Sequence, residues 1–259
     1  MDIIIPTNYR PHRLITTLSS LFLQDLSGQN RLVIIDNSGE DIFKIKQIQK
    51  LITAFRTKGY TVETLYSTYR SISKIKKEAL EKATHSTIAL LDNDLLFTRA
   101  DTLSALEHVL NSYEIAGVSP LGYELDHEKK VLNEYSHKYD EIEYDENGVG
   151  EGNIALGFFL MLNKDEVNKN IEYWCDDLPY MEDQILVHFL KKSKGYAYLR
   201  GHIVYHIAYD ENPSYIFNEE DVVSYLEKKG PRYQDLLDLR KYGKDGAEFN
   251  KQIKRKAHA

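Results

Sequence analysis

The amino-acid sequence predicts an α/β fold in which a mainly parallel sheet is flanked by helices. Short apolar runs, typical of buried parallel strands, alternate with amphipathic helical patterns through residues 1–100. This alternation is the pattern of right-handed βαβ units. The length of 259 residues is enough for one large domain and a small helical appendage.

The apolar runs of the first half define the predicted strands, which are Ile3–Ile5, Leu32–Ile35, Thr61–Tyr66 and Ile88–Leu91. Pro11 suits the first turn of a helix, and Gly59 suits the end of the second helix. Ligands of parallel sheets bind beyond the carboxyl ends of the strands. The segments of interest are therefore 6–10, 36–38 and 92–94.

The second half has a different pattern. Residues 120–153 are rich in Tyr, Asp, Glu and Lys and predict a long excursion or irregular hairpins. Further strands are predicted over Ile154–Leu162, Tyr196–Leu199 and Ile203–Ile207, with a helix over Ile185–Leu190. From Glu219 onward the pattern is helical and charged.

Charge and cysteine content narrow the classes of function. The 33 basic and 40 acidic residues give a net charge of −7, so we expect no nucleic-acid partner, which would require a basic surface. Cys175 is the single cysteine, which excludes an intrachain disulfide and favours a packing role. The sequence shows neither a signal peptide nor a transmembrane segment. We therefore expect a cytoplasmic protein, with peripheral docking at the inner face of the membrane left open.

The segment Asp92-Asn93-Asp94 is the most informative. It follows an apolar strand, and in extended chain its two aspartates would share one face. Mg²⁺ and Mn²⁺ favour oxygen ligands and often complete their coordination with substrate phosphates. The segment predicts a site for a metal ion and a nucleotide, although Asp-x-Asp alone is also common on solvated turns.

Several segments, in this order, resemble family 2 glycosyltransferases, and together they extend over residues 2–206. They are Ile3–Pro11 with Leu18–Leu21 and Gln24, Val33–Ser38, Leu90–Asp94, Glu182–Asp183, and Val204–His206. Two stretches differ from the family. Lys74–Ala79 stands where members commonly carry Arg-Asn and a glycine, and Tyr173–Asp177 stands where they carry Gly-Gly-Phe.

The resemblance implies a GT-A fold with a mixed, mainly parallel sheet and a Rossmann-like nucleotide-binding half. Residues 1–100 would bind the nucleotide, residues 101–210 the acceptor, and residues 211–259 would form a C-terminal helical extension. It further implies a nucleotide-sugar donor, a Mn²⁺ or Mg²⁺ ion and inversion at the anomeric carbon. UDP is the default nucleotide, and the acceptor would be a glycan, glycolipid or glycoprotein.

The resemblance also assigns residues to roles. Asp94 and His206 would hold the metal, Asp183 would be the base that deprotonates the acceptor hydroxyl, and Glu182 would shape its environment. The nucleotide-sugar would be bound by Pro6, Thr7, Asn8, Arg10, Asp36, Asp92 and Asn93. Two further candidates stand where the sequence differs from the family: Lys76, which would bind the donor, and Trp174, which would stack on the acceptor. This chemistry suits the residue types, since a carboxylate can take the proton of a hydroxyl while a cation offsets the charge of the leaving diphosphate.

Each assignment has a structural alternative. Asp36 could cap a turn, and Glu182 and Asp183 could be ordinary first-turn acids favoured by a helix dipole. His202 competes with His206 for one role, and Trp174 could be a core residue. The lysines of the Lys74–Ala79 stretch could face phosphate or solvent.

Two other functions remain open from the sequence. One is a sugar nucleotidyltransferase, which uses similar metal chemistry but for which the sequence lacks an early basic, glycine-rich loop. The other is a catalytically silent binding or scaffold subunit of the same fold, for which the absent Arg-Asn is the best argument. A dinucleotide-dependent oxidoreductase is excluded, since the first glycine is Gly28 and no glycine-rich turn follows the first strand.

Overall fold

The computed structural model describes residues 1–8, 10–69, 71–125, 131–132, 139, 142–152, 157–174, 182–207, 224, 227–228 and 233. Helices in these ranges are α1 (Pro11–Phe22), α2 (Lys46–Thr57), α3 (Ile72–Glu81), α4 (Thr102–Ser112), α5 (Lys164–Asn170) and α6 (Glu182–Lys194). Strands are β1 (Asp2–Thr7), β2 (Arg31–Asp36), β3 (Thr61–Tyr66), β4 (Thr87–Leu91), β5 (Leu95–Phe97), β6 (Gly117–Leu125), β7 (Val131–Leu132), β8 (Val149–Glu151), β9 (Phe159–Asn163) and β10 (Tyr196–Ile207).

The strands form one mixed sheet in the order β3-β2-β1-β4-β9-β6-β10-β5, with β7 beside β6 and β8 beside β10. The first four strands in this order are parallel, as predicted. β9 then runs antiparallel to both of its neighbours, and β5 runs antiparallel to β10. The first half of the sheet is therefore a Rossmann-like unit. The second half is mixed, because β6 and β10 run parallel to the first four strands whereas β9 and β5 run antiparallel to them.

Two predictions for the second half were wrong. Residues 117–125 form a regular strand, which extends into the stretch that was expected to be irregular. Residues 196–207 form one strand, not two, with a shift in register between Leu199 and Ile203. The shift contains Gly201, whose φ of +86° is a conformation that favours glycine. A bulge of this kind interrupts the alternation of apolar and polar residues. The sequence of one strand therefore resembles two strands joined by a loop.

The sheet buries a core on each face. Alternate residues of β1 contribute to different cores. Ile3 and Ile5 belong to the core beneath α1, α2 and α4, whereas Ile4 belongs to the core beneath α3 and α6. The continuous apolar runs predicted buried strands for this reason, since both faces of a parallel strand are covered.

Asp2, the first residue of β1, is fully buried and stabilises the amino end of this strand. Its carboxylate accepts hydrogen bonds from the backbone N–H groups of Thr84 and His85, and it lies 2.8 Å from His85 Nδ1 and 3.4 Å from Arg31 Nη1. Burial alone would raise the pKa of Asp2, but the His85 and Thr84 hydrogen bonds and the Arg31 charge hold it below its ordinary value. Asp2 thus contributes stability that is present above its unfolded pKa and is lost as the pH falls through its lower folded pKa.

We expect Asp2→Asn to lower the free energy of unfolding at pH 7 by about 3–5 kcal/mol, because it removes a fully buried negative charge from its hydrogen bonds to Thr84 and His85 and from its ion pair with Arg31. Urea unfolding measures this loss. Glu63→Gln is the matched control, since Glu63 pairs with the same Arg31 at 2.7 Å but its side chain is 39% exposed. The control should lose no more than about 1 kcal/mol. Equal losses in the two variants would contradict the role of Asp2.

The chain divides into two compact units, Met1–Asn212 and Pro213–Ala259. All the strands and helices named above belong to the first unit. Of the second unit, the structure describes only Ser224, Glu227, Lys228 and Tyr233, so the predicted helical extension over 211–259 lies almost entirely outside the described residues. Within the described residues, no helix combines the length and apolarity needed to cross a bilayer.

Candidate metal and nucleotide site

The Asp92-Asn93-Asp94 segment lies at the carboxyl end of β4, where it connects to β5. Its backbone is fixed at both ends: Asp92 N–H donates to the carbonyl of Phe158 at 2.9 Å, and the carbonyl of Asp94 accepts from Ile207 N–H at 2.8 Å. The segment forms a turn and not the extended chain that the sequence analysis assumed. The two carboxylates nevertheless converge, because the turn is anchored to Phe158, just before β9, and to Ile207 at the end of β10.

Asp92, Asp94 and His206 form a cluster that could hold one metal ion. Each offers one ligand atom, and these three atoms lie within 4.8 Å of one another. Two carboxylate oxygens and an imidazole nitrogen make a donor set that suits Mn²⁺ and allows phosphate oxygens to complete the coordination. The residues present therefore fit a divalent cation.

Asp94 is the buried member of this cluster, with 4% of its surface exposed. Its Oδ2 accepts a hydrogen bond from Arg13 Nη1 at 2.9 Å, and its Oδ1 lies 3.1 Å from His206 Nε2. Burial alone would raise the pKa of Asp94. The hydrogen bond and charge of His206, followed by those of Arg13, instead hold the pKa below its ordinary value. Asp94 is thus a carboxylate at neutral pH.

The structure brings His206, and not its competitor His202, to the cluster. The ring of His206 stacks on Phe158, with centroids 4.8 Å apart and planes inclined by 7°. His202 Nδ1 lies 3.9 Å from Asp101, and burial lowers its pKa. The separation of four residues along β10 gives the two histidines different neighbours, which the sequence alone could not assign.

Lys76 lies on the opposite side of the cluster from Arg13. It extends from α3, is 5% exposed, and places its Nζ 3.1 Å from Asp92 Oδ1 and 3.3 Å from the carbonyl oxygen of Gly157. The buried position shows that Lys76 is not part of a solvated helix face. It faces the Asp-x-Asp segment, and its assignment to donor binding stays a prediction.

Four polar residues, Arg13, Thr17, Ser20 and Gln24, form a stripe along α1 and just beyond its C-terminal end. This polar stripe supports the Asp-x-Asp segment and the chain that follows it. All four are buried. Thr17 Oγ1 accepts from Leu95 N–H at 2.7 Å, and Gln24 donates to the carbonyl of Arg99 at 2.7 Å. The sequence analysis missed Arg13 as a site residue. Its spacing of four and seven residues from Thr17 and Ser20 places it on the buried face of α1, and this was the available signal.

The predicted nucleotide-binding residues lie along the carboxyl ends of β1 and β2. Register pairing sets Thr7 beside Asp36. Asn93 Nδ2 donates to Thr7 Oγ1 at 2.6 Å, which ties the Asp-x-Asp turn to β1. Asp36 is 1% exposed and accepts from Ser38 Oγ at 2.7 Å, so it does cap the turn that follows β2. This contact leaves the assignment of Asp36 to a nucleotide as a prediction.

The other residues of the β1 end are placed differently. Pro6 is a buried part of β1, Asn8 is exposed in the bend that follows, and Arg10 is the N-cap residue of α1. Pro11 opens the helix, as predicted. Asn8 and Arg10 therefore belong to the connection between β1 and α1, at the edge of the sheet where a ligand was expected.

Trp174 requires a correction, because it is a core residue. It is 3% exposed and packs in the core beneath α3, and its indole N–H donates to both the carbonyl and the hydroxyl of Ser73 at 3.0 Å. An acceptor sugar cannot stack on a ring that is covered in this way. The structural alternative for Trp174 is therefore the correct one, and its indole ties the segment after α5 to α3.

Glu182 and Asp183 form the first turn of α6, so the helix begins earlier than the predicted Ile185 and the two acids have the position that their structural alternative gave them. The structure describes their backbone as helical, but their side chains lie outside the described part. Their assignment as base and supporting acid stays a prediction.

Comparisons with known proteins give structural similarity only. No protein-family model and no curated protein sequence matches the chain. Solved structures do match: the mannosyltransferase PcManGT from Pyrobaculum calidifontis in complex with GDP-Man and Mn²⁺ has a TM-score of 0.67 at 14% identity, over 93% of this chain and 68% of that one. S. aureus TarS 1-349 in complex with UDP-GlcNAc has a TM-score of 0.59 at 17% identity, over 87% of this chain.

A third match is GalNAc-T7 with UDP, GalNAc and Mn²⁺, with a TM-score of 0.55 at 13% identity, over 87% of this chain and 47% of that one. The chain spans 64% of the length of TarS 1-349. Identities this low establish the fold alone. The mixed, mainly parallel sheet with its flanking helices is thus the GT-A fold, as the sequence analysis expected.

Proposed function

We propose that this protein is a glycosyltransferase that moves a sugar from a nucleotide-diphosphate donor to a hydroxyl group of an acceptor. The observation that carries the proposal is the cluster of Asp92, Asp94 and His206 at the carboxyl edge of the sheet. This edge is where ligands bind in open α/β sheets. The structural neighbours include complexes with UDP-GlcNAc and with GDP-Man and Mn²⁺, which supports a donor of this class.

The described residues suit the binding of such a donor. Asp92, Asp94 and His206 would hold Mn²⁺ or Mg²⁺, and the ion would offset the charge that develops on the leaving diphosphate. Thr7, Asn8, Arg10 and Asp36 lie along the edge beside the cluster, where they would bind the nucleoside. Lys76 faces Asp92 and would bind the diphosphate.

The acceptor side of the proposal rests on α6. Asp183 would act as the base that removes the proton of the acceptor hydroxyl as the sugar is transferred, with Glu182 beside it. Attack from the side opposite the leaving group would invert the anomeric carbon, as in family 2 glycosyltransferases. The acceptor would be a glycan, glycolipid or glycoprotein, consistent with polysaccharide biosynthesis at the cytoplasmic side of a membrane. Trp174 has no part in binding it.

A donor screen tests the proposal. The protein is incubated with UDP- and GDP-sugars and Mn²⁺, and thermal unfolding reports binding because a ligand of the folded state raises the melting temperature. Slow release of free nucleotide then reports turnover by hydrolysis. Binding without release or transfer would favour a silent scaffold subunit, and preference for a nucleoside triphosphate with sugar phosphate would favour a nucleotidyltransferase. The absence of any Mn²⁺-dependent binding would reject the proposal.

We expect Asp36→Ala to weaken nucleotide binding by about 1–3 kcal/mol, the scale of a hydrogen bond to a charged group. Calorimetry with UDP or GDP and Mn²⁺ measures the change. Because Asp36 also accepts from Ser38, the loop could shift in this variant. Ser38→Ala removes the same loop contact but keeps the carboxylate, and it should bind the nucleotide like the parent protein. If both variants lose equal affinity, Asp36 serves only as the turn cap.

A further inference from the structure

Both carboxylates of the Asp-x-Asp segment are already in ion pairs with cations of the protein. Arg13 Nη1 lies 2.9 Å from Asp94 Oδ2, and Lys76 Nζ lies 3.1 Å from Asp92 Oδ1. Arg13 belongs to α1, which packs on one core, and Lys76 belongs to α3, which packs on the other. The two positive charges therefore approach the cluster from the two faces of the sheet.

These cations are built into the fold. Arg13 is 4% exposed and Lys76 is 5% exposed. A buried charge cannot leave its counterion without a large desolvation cost, and a guanidinium stays charged at any physiological pH. The positive charges are thus present before any ligand binds, and they remain when one does.

A divalent cation that enters this cluster is attracted by its three ligands and repelled by the positive charges of Arg13 and Lys76. The affinity of carboxylate sites for such ions follows the net charge of the ligands. Here each carboxylate charge is partly offset by its own partner, which weakens the attraction for a free ion. A diphosphate supplies further negative charge and oxygen ligands, and it can interact with the cation and with the protein's positive charges together.

We propose that Arg13 and Lys76 are fixed counter-charges that make cation binding at Asp92, Asp94 and His206 depend on a bound diphosphate. This inference rests on the proposed function, since it concerns the same site. Its content is a coupling between two ligands: the diphosphate raises the affinity for the cation, and the cation raises the affinity for the diphosphate by the same factor. The free metal ion would then seldom occupy the site alone.

Calorimetric titration with Mn²⁺, without nucleotide and then with saturating UDP or GDP, tests the coupling. In the parent protein we expect weak binding of Mn²⁺ alone and a gain of at least ~10-fold with the nucleotide, within the usual range of coupling between sites. In Lys76→Met we expect Mn²⁺ alone to bind about 10-fold more tightly, because an opposing charge only a few ångströms away is gone. The gain on adding nucleotide should shrink in that variant.

Three variants complete the test. Lys76→Arg keeps the charge and should bind Mn²⁺ alone no more tightly than the parent protein. Lys82→Met removes the exposed lysine that follows α3 and pairs with Glu78, and it should leave both affinities unchanged. Arg13→Met removes the counter-charge on the other face and should change Mn²⁺ binding in the same direction as Lys76→Met. Thermal unfolding without ligand shows which variants are folded at the temperature of the titration.

The outcomes separate this inference from the proposed function. If the parent protein binds nucleotide with Mn²⁺ but Lys76→Met binds Mn²⁺ alone no more tightly, the counter-charge role is wrong and the proposed function stands. Tight binding of Mn²⁺ alone by the parent protein would also overturn the inference. If the parent protein binds neither UDP nor GDP in the presence of Mn²⁺, the proposed function itself fails.

Discussion

Replacing Asp94 by asparagine is expected to reduce Mn²⁺-dependent nucleotide binding by more than about 100-fold. Even a residue that only hydrogen-bonds a metal ligand is typically worth 10–100-fold in affinity, and Asp94 is the buried ligand itself. Asparagine is preferable to alanine because the side chain accepts a hydrogen bond from Arg13. Alanine would remove the Asp94 acceptor from that buried guanidinium and would confuse loss of binding with loss of folding.

The measurement is calorimetry with Mn²⁺ and UDP or GDP, beside thermal unfolding without ligand. Asp101→Asn is a suitable control. Asp101 is also an aspartate paired with an arginine, Arg99, but its side chain is 48% exposed and it lies outside the cluster. The control should bind like the parent protein. Equal affinity in Asp94→Asn and the parent protein would remove Asp94 from the metal site.

Asp183→Asn is expected to lower the rate of sugar transfer by roughly 10²–10⁴-fold, the usual contribution of a general base. A base acts on the acceptor and hardly affects the donor, so affinity for the nucleotide-sugar and Mn²⁺ should be preserved. Asparagine keeps the volume of the side chain and removes only its ability to accept a proton. The experiment therefore compares transfer and donor binding in the same variant.

Glu182→Gln is the matched variant for this experiment, since Glu182 is the neighbouring acid of the same helical turn. It should have a smaller effect if it only supports its neighbour. Near-normal transfer by Asp183→Asn would exclude Asp183 as the base. A collapse of transfer in Glu182→Gln alone would assign the role to Glu182.

The parallel half of the fold was predictable because local pattern and burial agree there. The apolar residues of β1, β2 and β4 are buried on both faces of the sheet, so each appears in the sequence as a continuous run. In the second half the pattern is weaker. The bulge at Gly201 divided one strand into two in the sequence analysis, and β6 carries enough polar and aromatic residues to resemble a loop.

The site was predictable where residues follow a strand, and unpredictable where distant elements meet. Asp92, Asp94 and Asp36 were proposed from their position after apolar runs, and the structure does place all three at or just beyond the carboxyl ends of strands. Arg13 was missed because an arginine within a helix is usually solvated, whereas this one is buried beside Asp94, a residue far away in the sequence. Trp174 shows the opposite error, since an aromatic side chain was proposed to stack on the acceptor although the core covers its ring.

The polar stripe of α1 has a consequence for the order of folding. Arg13 and Asp94 are 81 residues apart in the chain, Thr17 and Leu95 are 78 apart, and His206 comes from the final strand of the sheet. Contacts between such distant segments form after local helices and the first βαβ units, because the intervening chain must first be ordered. During refolding, helical signal should therefore return before the cluster is complete. Cation-dependent nucleotide binding would appear only with the docking of β10, as the last event in the maturation of the domain.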